Sequence, residues 1–177
     1  MKVIELCGKA GVGKDTFGLE LKKQLEHKGY RCVHIAFGDR LKDICTRYFG
    51  WNGKKDEKGR HLLQEIGTDI FRQFNDDYWI SEVRNFLQVC NSADLFDYAI
   101  ITDARFPNEV TGLQGNDFSV NTFRIKRNNF VSRLTQEAQL HSSETALDDF
   151  VLPEIILSGN KDNLPQEVEE FIINWRI

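Results

Sequence analysis

Gly8-Lys9-Ala10-Gly11-Val12-Gly13-Lys14-Asp15-Thr16 follows the apolar, β-branched run Lys2–Cys7 and precedes a helical pattern, and its reading decides the fold. Gly8, Gly13 and Lys14 meet the spacing G-x-x-x-x-G-K in the strand–loop–helix setting that this spacing requires. A loop that wraps a triphosphate must turn successive N–H groups inward, so glycine is needed wherever a Cβ would intrude. The helix that follows contributes the positive end of its dipole, and Lys14 a mobile point charge for the terminal phosphates. Asp15 stands where a hydroxyl residue usually follows the lysine, with Thr16 one place later. A carboxylate still holds Mg²⁺, directly or through water. The competing reading is a glycine-rich turn that merely starts a helix.

Working outward, strands are expected at Lys2–Cys7, 31–37, 97–102, 120–125 and Glu154–Leu157. Helical spacing marks Lys14–His27 (Phe17, Leu21, Leu25), 60–74 (Leu63, Ile66, Ile70, Phe74) and 79–89 (Val83, Phe86, Leu87). In the last helix Asn163 is placed to cap, Pro165 lies in the first turn, and Gln166 completes a capping-box-like spacing ahead of Val168, Phe171, Ile172 and Trp175. Strands alternating with helices imply βαβ units, hence an α/β fold of three layers with a central parallel sheet of about five strands. Ligands of such sheets bind beyond the carboxyl ends of the strands.

The 177 residues suit one domain, expected over 1–177. With 23 Lys+Arg against 27 Asp+Glu the net charge is −4, which argues against a polymeric nucleic-acid partner. At 41% apolar and 28% charged, with 3 Pro, the chain reads as an ordinary globular protein rather than a disordered one. Its 4 cysteines (Cys7, Cys32, Cys45, Cys90) form no CxxC pair and read as reduced thiols of a cytoplasmic protein. The first apolar run, interrupted by Glu5, is too short for a signal-peptide core or a membrane span.

Three other strand ends carry charge suited to phosphate chemistry. After 31–37 come Asp39, Arg40 and Lys42, which read either as cations for an acceptor phosphate or as a capped, solvated helix face. After 97–102 come Asp103 and Arg105, where an acidic residue can hold a Mg²⁺-bound water and an arginine a phosphate; the plain alternative is a structural pair. The segment 124–133, with Arg124, Lys126, Arg127 and Arg133, reads as a cationic lid or as a solvated basic helix. His27, His34 and His61 are scattered, with no spacing for a catalytic triad or a metal. Phosphoryl transfer needs positioning and positive charge more than a nucleophile, so it suits this set.

Taken together, these motifs resemble the bacteriophage-type deoxynucleoside monophosphate kinases of the P-loop kinase superfamily. The resemblance rests on 8–16 with its Gly-Lys-Asp-Thr ending and on Leu62-Leu63-Gln64-Glu65-Ile66-Gly67-Thr68-Asp69. Asp76-Asp77-Tyr78-Trp79-Ile80, Thr102-Asp103-Ala104-Arg105 with Glu109, and His141-Ser142-Ser143-Glu144 complete it. It implies ATP and Mg²⁺ on residues 8–16, with Asp15, Thr16 and Asp103 toward the metal. It implies a helical acceptor segment over about 39–92, in which Asp39, Arg40, Gln64, Gly67, Thr68, Asp69 and Trp79 join Arg105 and Glu144 around a nucleoside monophosphate. It implies a lid over about 126–145, whose Arg127 and Arg133 act with Lys14 and Arg105 in transfer. A phage-encoded member would work in the host cytoplasm, without a membrane partner, and a homodimer is compatible with the chain. Taken alone, Gly67 in a helix costs about 1 kcal/mol relative to Ala, for which a ligand or a close helix contact are equal explanations. Kinases of phosphomevalonate or dephospho-coenzyme A share the loop and the Asp-x-Arg strand end, and a nucleotide-binding module without catalysis is the reading from another class. A GTPase is disfavoured, since Asn160-Lys161-Asp162 lacks the spacer of a guanine-reading motif.

Overall fold

The computed structural model describes residues 1–177. Five strands, β1 (Lys2–Cys7), β2 (Cys32–Ile35), β3 (Tyr98–Ala104), β4 (Ser119–Arg127) and β5 (Glu154–Leu157), form one sheet in the order β2-β3-β1-β4-β5. Every pairing is parallel, with Ile4 opposite Ile100 of β3 and Asn121 of β4. The helices are α1 (Lys14–His27), α2 (Gly38–Phe49), α3 (Glu57–Gln64), α4 (Phe71–Phe74), α5 (Tyr78–Ser92), α6 (Pro107–Gly112), α7 (Gln136–Leu140), α8 (Ser142–Thr145) and α9 (Leu164–Trp175). Alternation along β1 sends Ile4 and Leu6 to one face and Val3 and Cys7 to the other, and each face has its own core. Phe17 and Leu21 of α1 and Val168 and Phe171 of α9 close the first core; Ile80, Val83 and Leu87 of α5 and Val110 of α6 close the second. Four free cysteines are all buried. No helix is long and apolar enough to cross a membrane.

The structure corrects several expected boundaries. β2 stops at Ile35 because the chain turns into α2, where Asp39 Oδ2 accepts the Ala36 N–H at 2.9 Å. β4 extends to Arg127 because β5 pairs with it that far, Arg127 lying opposite Leu157. Arg124, Lys126 and Arg127 are therefore strand residues rather than a following helix. The helix expected over 60–74 begins earlier, since the Asp56 carboxylate caps α3 by accepting the Gly59 N–H at 2.9 Å. It then widens into a π-helical stretch, Glu65–Ile70, where the Phe71 N–H reaches back five residues to the Ile66 carbonyl. The capping box expected at α9 does not form: Asn163 makes no side-chain cap, and Gln166 bonds Glu170 instead. A short 3₁₀ turn (Lys161–Asn163), held by Asn160 Oδ1 accepting the Asp162 N–H, leads into the helix in its place. Trp175 stays half exposed, its ring edge-on to Phe123 at 4.7 Å.

Candidate functional site at the carboxyl end of the sheet

β1 passes into the loop at Gly8, whose φ of +134° is open to glycine; a Cβ there would lie 2.5 Å from the Ile125 carbonyl oxygen. Gly13, at φ +121°, ends the loop at the start of α1. Lys14 folds over the loop, its Nζ donating to the carbonyls of Gly8 at 2.7 Å and Lys9 at 3.0 Å. Burial, with Arg105 nearby, lowers the Lys14 ammonium to about 7, against the opposing pull of Glu144, Asp15 and Asp103. Asp15 sits on the first turn of α1 and accepts from the Thr102 hydroxyl at 2.5 Å, which also meets His34 Nε2 at 3.2 Å. His34, one of the scattered histidines, thus stands behind the loop carboxylate. Asp103 accepts the N–H groups of Phe37 and Gly38, at 2.7 and 2.9 Å, and so ties the start of α2 to the end of β3.

A cavity of about 430 Å³ opens over these strand ends. Ala10, Gly11, Gly13, Lys14, Asp15, Thr16, Gln64, Gly67, Thr68, Trp79, Asp103, Arg105 and Glu144 line it together, so the structure gathers most of the expected site in one place. Lys42, Lys55, Arg60 and Arg72 line it as well, Lys42 paired with Asp39 and Arg72 with Glu109. Trp79 is buried, its indole N–H donating to the Gly67 carbonyl at 2.9 Å, and a Cβ on Gly67 would meet the Leu41 side chain at 2.5 Å. The mid-helix glycine is thus explained by a close helix contact on the cavity wall. Trp79 also packs with Phe71 and Tyr78, whereas Phe74, the last residue of the apolar spacing expected over 60–74, is 87% exposed.

Other expected residues lie elsewhere. Asp39 is outside the cavity lining, its carboxylate held by the Ala36 N–H and by Lys42 Nζ at 2.7 Å. Arg40, one position along α2, points away and pairs with Asp43 and Glu82. Asp69 is exposed beyond the wall, 3.9 Å from His141. Arg133 is exposed and lines no cavity described here. Gly8, Lys9, Val12 and Arg127 line a second cavity of about 380 Å³, where the Arg127 guanidinium stacks over Phe130 at 4.9 Å. Arg105, Ser143 and Glu144 line both cavities, so their contacts form the partition between them. Glu144 pairs with Arg105 through one oxygen and accepts the Ala10 N–H at 2.9 Å through the other.

Arg72 and the setting of Glu109 escape a reading by spacing. Arg72 pairs with Glu109, their side chains 8% and 3% exposed, and lies 3.9 Å over the Phe106 ring. The other Glu109 oxygen accepts the N–H groups of Arg105 at 2.6 Å and Phe106 at 3.0 Å, fixing the loop that carries Arg105. Burial raises the Glu109 carboxyl to about 7, with Arg72 and the two N–H donors drawing it the other way. In the sequence Arg72 is one more arginine of a helical stretch; only the fold brings it to the end of β3.

No family model matches the chain, and no curated protein matches it in sequence. Among solved structures, shikimate kinase from Bacteroides thetaiotaomicron aligns over 99% of this chain and 99% of its own, with TM-score 0.59 at 13% identity. The structure of APE1195 aligns over 99% of this chain and 94% of its own, at 15% identity and TM-score 0.46, too loose a likeness to define a fold. The parallel five-stranded sheet, the loop after β1 and the first of these likenesses agree: the chain has the three-layer α/β/α P-loop NTPase fold.

Proposed function

We propose that the protein is an ATP-dependent kinase of deoxynucleoside monophosphates, converting dNMP and ATP to dNDP and ADP. The observation that carries the reading is the shared cavity: the phosphate loop with Lys14 opens onto the same space as Arg105 and a wall of Gln64, Thr68 and Trp79. The sequence motifs common to the phage-type kinases fall largely on that lining. Lys42, Lys55 and Arg60 favour an acceptor that itself carries a phosphate. In this reading an acceptor phosphate oxygen attacks the γ-phosphorus of ATP, the bond to the β-bridging oxygen breaks, and ADP leaves. The attacking oxygen is already ionised, so no strong base is required, and Lys14 and Arg105 neutralise the charge that shifts between the phosphates. The acceptor segment over about 39–92 and the lid over about 126–145 belong to the same proposal, Arg127 and Arg133 reaching the phosphates only if that lid closes.

Asp15 and Thr16, which line the cavity beside Lys14, fit a Mg²⁺ bound chiefly through phosphate oxygens and water, as hard cations of this kind favour. No cluster of three His, Cys, Asp or Glu side chains offers a metal site of its own. Asp103 spends its carboxylate on two backbone N–H groups and would act on such an ion through water. When bound, the ion would offset phosphate charge. The test is ADP release from ATP and Mg²⁺ with dAMP, dCMP, dGMP, dTMP, the ribonucleotides, phosphomevalonate, dephospho-coenzyme A and shikimate, products being identified by chromatography. Turnover of one or more deoxynucleotides is expected. ATP binding without phosphorylation of any acceptor would replace this reading with a non-catalytic nucleotide-binding module.

A further inference from the structure

Glu144 does more than border the cavity. One oxygen takes a phosphate-loop donor, the Ala10 N–H, and the other takes the Arg105 guanidinium. Its side chain is 7% exposed. The surrounding segment repeats the pattern: the Glu144 carbonyl accepts from Lys9 Nζ at 2.6 Å, Asp148 pairs with Lys9 at 2.5 Å, and the Ser143 carbonyl accepts from Arg105 at 3.3 Å. A carboxylate offers two anionic oxygens about as far apart as two oxygens of one phosphate, and backbone N–H groups and arginine bind both anions alike. Arg105 and Glu144 border both cavities, so the pair sits beside the loop at the edge of the space that the loop shares with the proposed acceptor wall.

We propose that Glu144 is a positioning residue that occupies a phosphate-oxygen seat of the loop and, through the same carboxylate, keeps the Arg105 guanidinium paired, and so unavailable to an acceptor phosphate, until a donor phosphate displaces it. The proposal rests on the kinase reading and deepens it. Displacement from Ala10 releases both contacts, because the two oxygens belong to one rigid group. Donor and acceptor binding are then coupled: a donor phosphate on the loop frees Arg105, and by linkage the acceptor strengthens the donor to the same extent. An internal occupant also lowers the apparent donor affinity by the fraction of molecules in which the seat is free.

The test is calorimetric titration of a non-hydrolysable ATP analogue with Mg²⁺ into the wild-type protein, Glu144→Gln and Glu144→Ala. Gln keeps an oxygen for Ala10 and loses the charge that holds Arg105, whereas Ala removes both contacts. The analogue should bind about three- to tenfold tighter to the Gln variant and tighter again to the Ala variant. Acceptor affinity, measured with the deoxynucleotide turned over best, should rise with the analogue in the wild type and be insensitive to it in both variants. A structural role alone would lower thermal stability without tightening the analogue. Equal or weaker analogue binding in both variants, with the wild type still binding, overturns this proposal and leaves the kinase reading intact. Absence of analogue binding to all three proteins overturns both.

Discussion

Lys14 Nζ rests on two loop carbonyls, where burial and Arg105 bring its ammonium down to about 7. A triphosphate beside it would favour the charged form and raise that value again. The sign follows: below about pH 7 Lys14 is already protonated and nucleotide binding takes up no proton there, whereas above it binding must capture one. Affinity for an ATP analogue should therefore fall as pH rises from 7 to 9, by up to about tenfold per unit. Proton uptake should appear as buffer-dependent binding heat at pH 8.5; heat independent of buffer and a flat affinity would reject the assignment. Lys14→Ala should lower transfer by at least about a hundredfold, and Arg105→Ala should raise the acceptor KM well above its effect on the ATP KM. Unchanged kinetics in Arg105→Ala would remove that residue from the site. Lys14, Asp103 and Arg105 are legible in sequence because each stands at the carboxyl end of an apolar strand or in the loop that follows it. Arg72 and Lys55 are not, because their place depends on how 51–74 folds over the sheet.

Two buried contacts hold the helical wall of the cavity: Trp79 donates to the Gly67 carbonyl within it, and Arg72 ties it to Glu109 beyond the end of β3. The π-helical stretch between Gln64 and Phe71 allows both, since an extra residue in its turns reorients the wall between two α-helical ends. Helical periodicity in the sequence marks this segment as helical but cannot distinguish a π turn, whose cause is tertiary. Removing one partner of a buried pair leaves the other charge uncompensated, at a cost of about 3–5 kcal/mol. Glu109→Ala also strips the acceptor from the Arg105 and Phe106 N–H groups. For a chain of this size that cost should lower Tm by roughly 6–20 °C in a thermal melt. The double variant Glu109→Ala with Arg72→Met should recover part of the loss, because no buried charge then lacks its partner. A single-variant change below about 2 °C would show that water, not the pair, satisfies these groups.

Across the whole molecule the layered fold follows from continuous apolar strands alternating with amphipathic helices, a pattern plain at β1 and β3. The strand order 2-3-1-4-5 does not follow from it, because the same alternation serves other windings of a parallel sheet. Glu5, which interrupts the first apolar run, shows what the sheet does with such an exception. Between β3 and β4 it is fully buried; one oxygen accepts the Thr122 hydroxyl at 2.6 Å and the other has no partner. Burial pushes its carboxyl up to about 8, and the nearby Glu109 and Asp103 add to the rise. The folded protein therefore holds a proton that the unfolded chain releases near the ordinary value of 4.5. Between those values the native state binds more protons than the unfolded one, so this group's contribution is complete below pH 4.5 and is lost as pH rises toward 8. Glu5→Gln keeps an oxygen for Thr122 and cannot ionise, so it removes that loss. Its stability relative to wild type, from urea unfolding, should increase between pH 5 and pH 8.5, reaching on the order of a few kcal/mol. A constant difference across that range would mean that Glu5 is ionised in the folded sheet, with a counter-charge or water supplying its free oxygen.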